Sequence, residues 1–114
     1  MDSTEELIHT LTVELKRGTL VLLVLSQLHQ PEYGYSLIQK LEDKHAPIEA
    51  GTLYPLLRRL EKQQLLKSEW DTTDSRPRKF YVLSEQGKQV YNELKTEWQT
   101  LSSQLAQILL EEEQ

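Results

Sequence analysis

Near the C-terminus, large apolar residues recur at alternating spacings of three and four: Tyr91, Leu94, Trp98, Leu101, Leu105 and Ile108. This spacing is the seam of a coiled coil, in which one helical stripe packs against another helix. Ser84 can cap the helix with Glu85 in its first turn, and a helix reaching Glu112 would be about 43 Å long. The core that 114 residues can build is too small to cover such a seam. We therefore expect part of the seam to remain uncovered in a single chain.

Ahead of this seam, the apolar spacing predicts three helices and a β-hairpin. The predicted elements are helices at about 3–29, 33–44 and 49–64, and strands at 65–70 and 78–83. Taken alone, residues 20–25 also fit a buried strand, but their flanks keep helical spacing and Pro31 ends the helix. Pro55 has no N–H to donate, so the third helix could begin as late as Thr52. This order predicts a mainly α (α+β) fold, the winged helix-turn-helix, whose third helix enters the major groove of DNA.

Charge is unevenly distributed along the chain. The net charge is -5 with a pI near 5.2, yet residues 50–83 carry seven basic against four acidic side chains. A local basic field of this kind attracts a polyanion in spite of the acidic total. Cysteine is absent, which excludes disulfides and thiolate metal sites. The longest apolar run, 20–25, is too short for a membrane helix and the N-terminus is acidic, so we expect a soluble cytoplasmic protein without a membrane segment.

The basic residues suit contact with double-stranded DNA. Thr52, Tyr54 and Arg58 lie near the start of the third helix and are predicted to reach base edges, while Arg59 and Lys62 hold phosphate. The hairpin loop adds three more cations, Arg76, Arg78 and Lys79. The alternative interpretations are that the helix cations form a solvated face balanced by Glu61, and that Tyr54 fills the core.

Three further aromatic residues are interpreted structurally. Tyr33 and Tyr35 are expected to pack with a polar tip near a phosphate, and Trp70 to pack the hairpin onto the core.

Three strings in the chain resemble the PadR family of bacterial transcriptional regulators. They are Tyr33-Gly34-Tyr35-x-Leu37-Ile38, Thr52-Leu53-Tyr54-Pro55-Leu56-Leu57-Arg58-Arg59-Leu60-Glu61 and Arg76-Pro77-Arg78-Lys79-Phe80-Tyr81-x-Leu83-Ser84-x-x-Gly87. The similarity runs in register from about residue 15 to 110. Two positions depart from the common pattern, since Ser75 and Gln64 stand where the family usually has glycine. A non-glycine residue is strained there if the turn needs a positive φ.

The resemblance implies a homodimer, usually a repressor, that binds an inverted-repeat operator and releases it when an effector binds. It divides the chain into a DNA-binding domain over 1–83, whose first helix also packs at the dimer interface, and a dimerisation helix over 84–114. The implied dimer interface is the apolar seam itself, and Trp98 could form part of a pocket for a small aromatic effector. The implied DNA-binding residues are Tyr35, Thr52, Tyr54, Pro55, Arg58, Arg59, Lys62, Arg76, Arg78 and Lys79.

Two other classes of function fit parts of the sequence. A winged-helix adaptor that binds proteins and not DNA would fit the acidic pI. A metal sensor would use His9, His29 and His45, but these residues lack the local spacing of a metal site. No phosphate loop, nucleophile motif or acid/base pair is found in the sequence. We therefore expect no enzyme activity, no metal and no cofactor.

Overall fold

The computed structural model describes residues 3–112, which form five α-helices and a three-stranded antiparallel sheet. The elements are, in chain order, α1 (Thr4–Arg17), α2 (Leu20–Ser26), β1 (Glu32–Tyr33), α3 (Gly34–Asp43), α4 (Ala50–Lys62), β2 (Leu66–Asp71), β3 (Arg78–Leu83) and α5 (Glu85–Glu111). The winged helix-turn-helix fold is confirmed, with α3 and α4 as the helix-turn-helix pair. We refer to β2, β3 and their connecting loop as the wing.

The single predicted helix over 3–29 is wrong, because the chain breaks at Gly18 and Thr19 into α1 and α2. The Thr19 backbone N–H and hydroxyl both bond to the Lys16 carbonyl, at 3.0 and 2.7 Å. These bonds span three residues and replace the four-residue bond that would continue the helix. The second half also ends early, at Ser26. Only α2 joins the core, through Val24 and Leu25.

The sheet has the order β1-β3-β2. The hairpin of β2 and β3 was predicted within one residue at each end, because a polar stretch of Asp, Thr, Ser and Pro residues separates its two strands. β1 was not predicted, since two residues are too few to show a pattern. It pairs Glu32 with Tyr81 and Tyr33 with Phe80, and so fixes the start of α3 against the wing.

The core lies where α2, α3 and α4 meet the base of the wing. Its buried members are mainly leucine: Val24, Leu25, Leu28, Leu37, Leu41, Ile48, Leu53, Leu56, Leu57, Leu60, Leu66, Tyr81 and Leu83. The start of α5 is held against this core. The hydroxyl of Ser84 accepts from the Gly87 N–H at 2.9 Å, which confirms the predicted cap. A Cβ at Gly87 would collide with the Leu65 carbonyl, so glycine allows α5 to approach the chain before β2.

α4 begins earlier than Thr52, with Glu49 as its N-cap residue and Pro55 inside the helix. The end of α4 shows the consequence of one departure from the family pattern, the glutamine at position 64. Gln64 has a φ of 66°, and the Leu65 N–H bonds back to the Leu60 carbonyl at 3.0 Å. This is a Schellman ending, in which glycine is usual because other residues are strained. Ser75, the other departure, does not have a positive φ, so its turn places no strain on a non-glycine residue.

Trp70 does not pack the hairpin onto the core, and that expectation is wrong. Its side chain is 62% exposed. The core side of the hairpin is closed by Tyr81, which is 4% exposed and pairs with Ser68, two residues before Trp70. Trp70 therefore projects beyond the core toward the end of the wing that carries the loop.

Candidate nucleic-acid interface

α4 separates its apolar and cationic residues by helical periodicity. The side chains of Leu53, Leu56, Leu57 and Leu60 are buried, as the sequence predicted. The opposite side is exposed and carries Thr52, Pro55, Arg58, Arg59 and Lys62. Its three cations make no hydrogen bond or ion pair within residues 3–112, so their charge is available to an anion outside the chain.

A cleft of about 640 Å³ lies between α4 and the wing. It is lined by Arg58, Arg59, Glu61, Lys62 and Lys79. Four of these five side chains are cationic, which gives the cleft a positive potential. The structure thus brings predicted residues from α4 and from the wing to one surface.

Glu61 joins α4 to the wing. Its carboxylate accepts hydrogen bonds from the Ser68 hydroxyl on β2 and from Lys79 Nζ on β3, the latter at 3.2 Å. The Ser68 bond, and to a smaller extent the Lys79 bond, hold the pKa of Glu61 below its usual range. We call this arrangement the Glu61 clamp. It gives Lys79 an internal anionic partner, which sequence reasoning did not foresee.

Arg78 is also engaged within the chain. Its guanidinium lies 4.4 Å from the centre of the Tyr33 ring and donates to the Tyr35 hydroxyl at 2.9 Å. It also pairs with Asp74 at 3.2 Å and with Asp71 at 3.9 Å. The side chain predicted to contact DNA therefore first fastens the wing to β1 and α3.

Asp71 completes this network. Its carboxylate accepts hydrogen bonds from the Tyr33 hydroxyl and from the hydroxyl and N–H of Thr73. These donors lower the pKa of Asp71 to about 2, and the Tyr33 bond raises the pKa of Tyr33 in turn. Of the three predicted wing cations, Arg76 alone has no polar partner within residues 3–112, which leaves it free at the loop.

The two tyrosines predicted for DNA contact have different surroundings. Tyr35 is exposed and stacks on Tyr33, with ring centres 5.9 Å apart. Tyr54 is half-buried with its ring over Gly34, where an added Cβ would collide with the ring. Gly34 thus provides the space in which α4 rests on α3.

Arg17 is a residue that sequence reasoning missed. It lies at the end of α1 and lines a second cleft, of about 360 Å³, together with Thr52, Pro55 and Arg59 of α4. It has no ion pair within the described residues and extends the basic surface from α4 to the end of α1. Only the folded chain brings it there, because Arg17 and Arg59 are distant in sequence.

Comparison with known proteins identifies this arrangement. Residues 21–93 match the sequence profile of the transcriptional regulator PadR-like family. The chain belongs to the PadR-like family. A PadR family transcriptional regulator from Eggerthella lenta DSM 2243 is 48% identical with a TM-score of 0.88, and the match covers 92% of this chain and 94% of that one.

The chain is also similar to two more distant proteins. The structure of a PadR family transcription regulator from Clostridium difficile R20291 is 28% identical with a TM-score of 0.73, covering 81% of this chain and 99% of that one. An uncharacterised protein from Lysinibacillus sphaericus is 31% identical over 90 residues, which are 75% of this chain and 83% of that protein. PadR-family proteins are DNA-binding transcription regulators and not enzymes, so DNA-binding regulation is supported for this chain at the level of the family.

This PadR-like chain has a second distinctive surface, which is apolar. Within the described chain α1 buries none of its residues, and its large apolar side chains are 46–77% exposed: Leu7, Ile8, Leu11, Val13 and Leu15. The seam of α5 divides into two parts. Tyr91 and Leu94 pack partly against the core, so these two side chains are only partly exposed. From Trp98 onward the seam is about half exposed, including Leu101, Leu105 and Ile108.

Trp98 stands where two neighbouring clefts of about 330 Å³ each meet, between α2 and α5. One cleft contains Tyr91 and Lys95, and the other contains Leu94 and Leu101.

No helix within residues 3–112 has the length and apolar character needed to cross a membrane. The same residues hold no group of three or more His, Asp or Glu side chains able to bind a metal ion.

Proposed function

We propose that the chain is a homodimeric, ligand-responsive repressor that binds an inverted-repeat operator through α4 and the wing. The observation that carries this proposal is the set of three unpaired cations on the exposed side of α4: Arg58, Arg59 and Lys62. A DNA-binding helix needs such free cations, because affinity comes largely from displacing counterions from phosphates. Thr52 in the first turn of α4 and Arg58 in its second half would read base edges, while Arg59, Lys62 and Arg76 would hold the backbone. The compartment expected for such a protein is the cytoplasm, where the DNA lies.

The homodimer is supported by the apolar faces of α1 and α5. Exposed apolar patches of this extent on a small chain mark protein–protein interfaces. The seam from Trp98 to Ile108 keeps heptad spacing, so it suits the same seam of a second copy, and α1 offers further apolar surface. A two-fold dimer would present two α4 helices, and operator binding would require them to lie about 34 Å apart, one turn of the duplex.

The effector site is proposed at Trp98. Each of the two adjoining clefts is at the lower end of the volumes found for small-molecule sites, and an aromatic ring at their junction suits a planar aromatic ligand. A ligand bound between α2 and α5 would tilt α5 and change the spacing of the two α4 helices. Such a switch works only if the ligand binds one spacing more tightly than the other.

The primary test measures binding to DNA fragments that the protein selects from a randomised duplex library, by fluorescence anisotropy over a salt series. We expect the logarithm of the association constant to fall linearly with the logarithm of salt, by about 0.9 for each phosphate contacted. Arg58→Ala should weaken binding by about 1–3 kcal/mol if Arg58 reads a base. Lys88→Ala is the control, because it removes one charge on α5, at the end of β3 opposite the wing loop, and should have little effect.

The adaptor hypothesis gives the opposite outcome in the same experiment. An adaptor would select no sequence and would show no salt-dependent binding to duplex DNA. Either result would overturn the repressor proposal while leaving the fold unaffected.

A further inference from the structure

Trp70 occupies an unusual place on the wing. Residues directly opposite each other in an antiparallel pair project from the same face of the sheet. The register pairs Leu66 with Leu83, Ser68 with Tyr81 and Trp70 with Lys79, so these three pairs share one face. Leu66, Leu83 and Tyr81 are buried, and the same face then leaves the core at Trp70 and Lys79. The last pair is therefore an outward continuation of the core face.

The surroundings of Trp70 combine aromatic and cationic side chains. A cleft of about 310 Å³ lies between α4, α3 and the wing, and its lining includes Tyr35, Tyr54, Trp70, Arg78 and Lys79. Lys79 Nζ lies 6.0 Å from the centre of the Trp70 ring and 5.4 Å from that of Tyr81. Lys79 also lines the neighbouring cleft that contains Arg58. The aromatic cleft is thus continuous with the basic surface of α4.

The chemistry of this cleft suits one part of the DNA duplex. The bases of a duplex are stacked and expose only their edges, so a flat ring at the protein surface meets the sugar and phosphate. Deoxyribose offers an apolar C–H surface to an indole face, and its phosphate offers the negative charge that Lys79 and Arg58 attract. A neutral apolar partner would leave Arg58 without an anion, since Arg58 has no ion pair within residues 3–112.

We propose that Trp70 seats one sugar–phosphate unit of the DNA backbone, with the indole against the deoxyribose and Lys79 beside the phosphate. This inference rests on the proposed DNA-binding function and adds to it a contact that positions the wing on the duplex. Because the contact is made to the backbone, it should act on every DNA sequence equally.

The first test compares Trp70→Ala and Trp70→Phe with the unchanged chain by anisotropy. Trp70→Ala should weaken binding about five- to tenfold, on both a library-selected duplex and a mixed-sequence 30-base-pair duplex, and Trp70→Phe should retain most of the affinity. The salt slope should stay unchanged, since a neutral side chain releases no counterions. The thermal midpoint should also stay close to that of the unchanged chain, because Trp70 is mostly exposed. Unchanged affinity in Trp70→Ala would overturn the proposal, and a loss of self-association in its place would assign the face to a second copy of the chain.

The second test reads Trp70 directly and needs no loss of function. The chain has two tryptophans, so labelling with 5-fluorotryptophan gives two ¹⁹F resonances, which Trp70→Phe assigns. Adding the mixed-sequence duplex at low salt should shift the Trp70 resonance and reduce its sensitivity to exchange of H₂O for D₂O. If anisotropy shows the DNA bound while the Trp70 resonance is unmoved, the proposal is wrong and DNA binding stands. If no duplex binds at any salt concentration, the proposed function fails and this inference fails with it.

Discussion

Replacing Glu61 by glutamine changes one charge at the junction of α4 and the wing while keeping the shape of the side chain. The Lys79 pair is about one-third exposed on both sides, so its loss should cost about 0.5–1 kcal/mol of unfolding free energy. The Ser68 hydroxyl would then donate to a neutral amide oxygen, and the weaker bond should cost a further ~0.5–1 kcal/mol. Together these losses predict a protein about 1–2 kcal/mol less stable.

The same substitution should strengthen DNA binding. It removes the one acidic side chain from a cleft lined by four cations, and it leaves Lys79 without its internal partner. Affinity at low salt should therefore rise, because Lys79 would no longer divide its charge between Glu61 and a phosphate, and the salt slope should steepen by no more than about 0.9, the contribution of one full phosphate contact. Stability and affinity would move in opposite directions.

Urea unfolding followed by circular dichroism gives the first quantity, and anisotropy with a mixed-sequence duplex over a salt series gives the second. Glu93→Gln is the matched control, because it makes the same charge change on an exposed turn of α5 and should alter neither quantity appreciably. If Glu61→Gln leaves stability unchanged, Glu61 does not hold α4 to the wing; if it binds DNA less tightly than the unchanged chain, Glu61 does not weaken the positive potential of the cleft.

Three further predictions concern the interface, a helix ending and acid pH. Leu101→Lys, at an exposed seam position, should sediment as a folded monomer that lacks operator affinity. Ser103→Lys, on the other side of α5, should remain dimeric. A dimeric Leu101→Lys chain would contradict the proposed interface. Gln64→Gly should raise the unfolding free energy by up to about 1 kcal/mol, because φ is 66° there and glycine adopts that angle without strain. Gln63→Gly, at a φ of -80°, should lower the unfolding free energy by a similar amount. Urea unfolding of the two variants measures both changes, and a loss of stability in Gln64→Gly would contradict the prediction. The pKa of Asp71 is lowered to about 2, so its contribution to stability is complete above about pH 4 and is lost as the pH falls through 2. The thermal midpoint of Asp71→Asn should therefore depend less on pH between 4 and 2 than that of the unchanged chain. If the two plots of thermal midpoint against pH are parallel, the prediction is wrong.

Long elements with a clear period could be predicted from the sequence. The cap at Ser84 and the heptad seam defined α5, and two β-prone runs on either side of a polar stretch defined the wing within a residue of its bounds. The break between α1 and α2 could not be predicted with the same certainty, because it depends on two hydrogen bonds to one carbonyl at Lys16. The apolar period continues across the break, and periodicity alone therefore indicated one helix.

The candidate site was predictable only where neighbours in sequence are neighbours in space. The exposed cations of α4 follow directly from helical spacing around its leucines. Contacts between distant residues do not follow from any local pattern. The Arg78 contact with Tyr35 joins residues 43 apart, and the bond from Lys79 to Glu61 joins residues 18 apart. Trp70 was misplaced for a related reason, since its burial depends on where the core ends and not on its strand.

The fastening of Arg78 bears on the thermodynamics of binding. Its contacts with Tyr33, Tyr35 and Asp74 fold the wing in the free chain, so association with a duplex spends little conformational entropy on that segment. Titration calorimetry should then record a negative heat-capacity change that the buried contact surface alone accounts for. It should lack the further negative contribution that accompanies folding on binding. Arg78→Ala should loosen the wing and make the heat-capacity change on binding more negative, even if the removed guanidinium never contacts a phosphate.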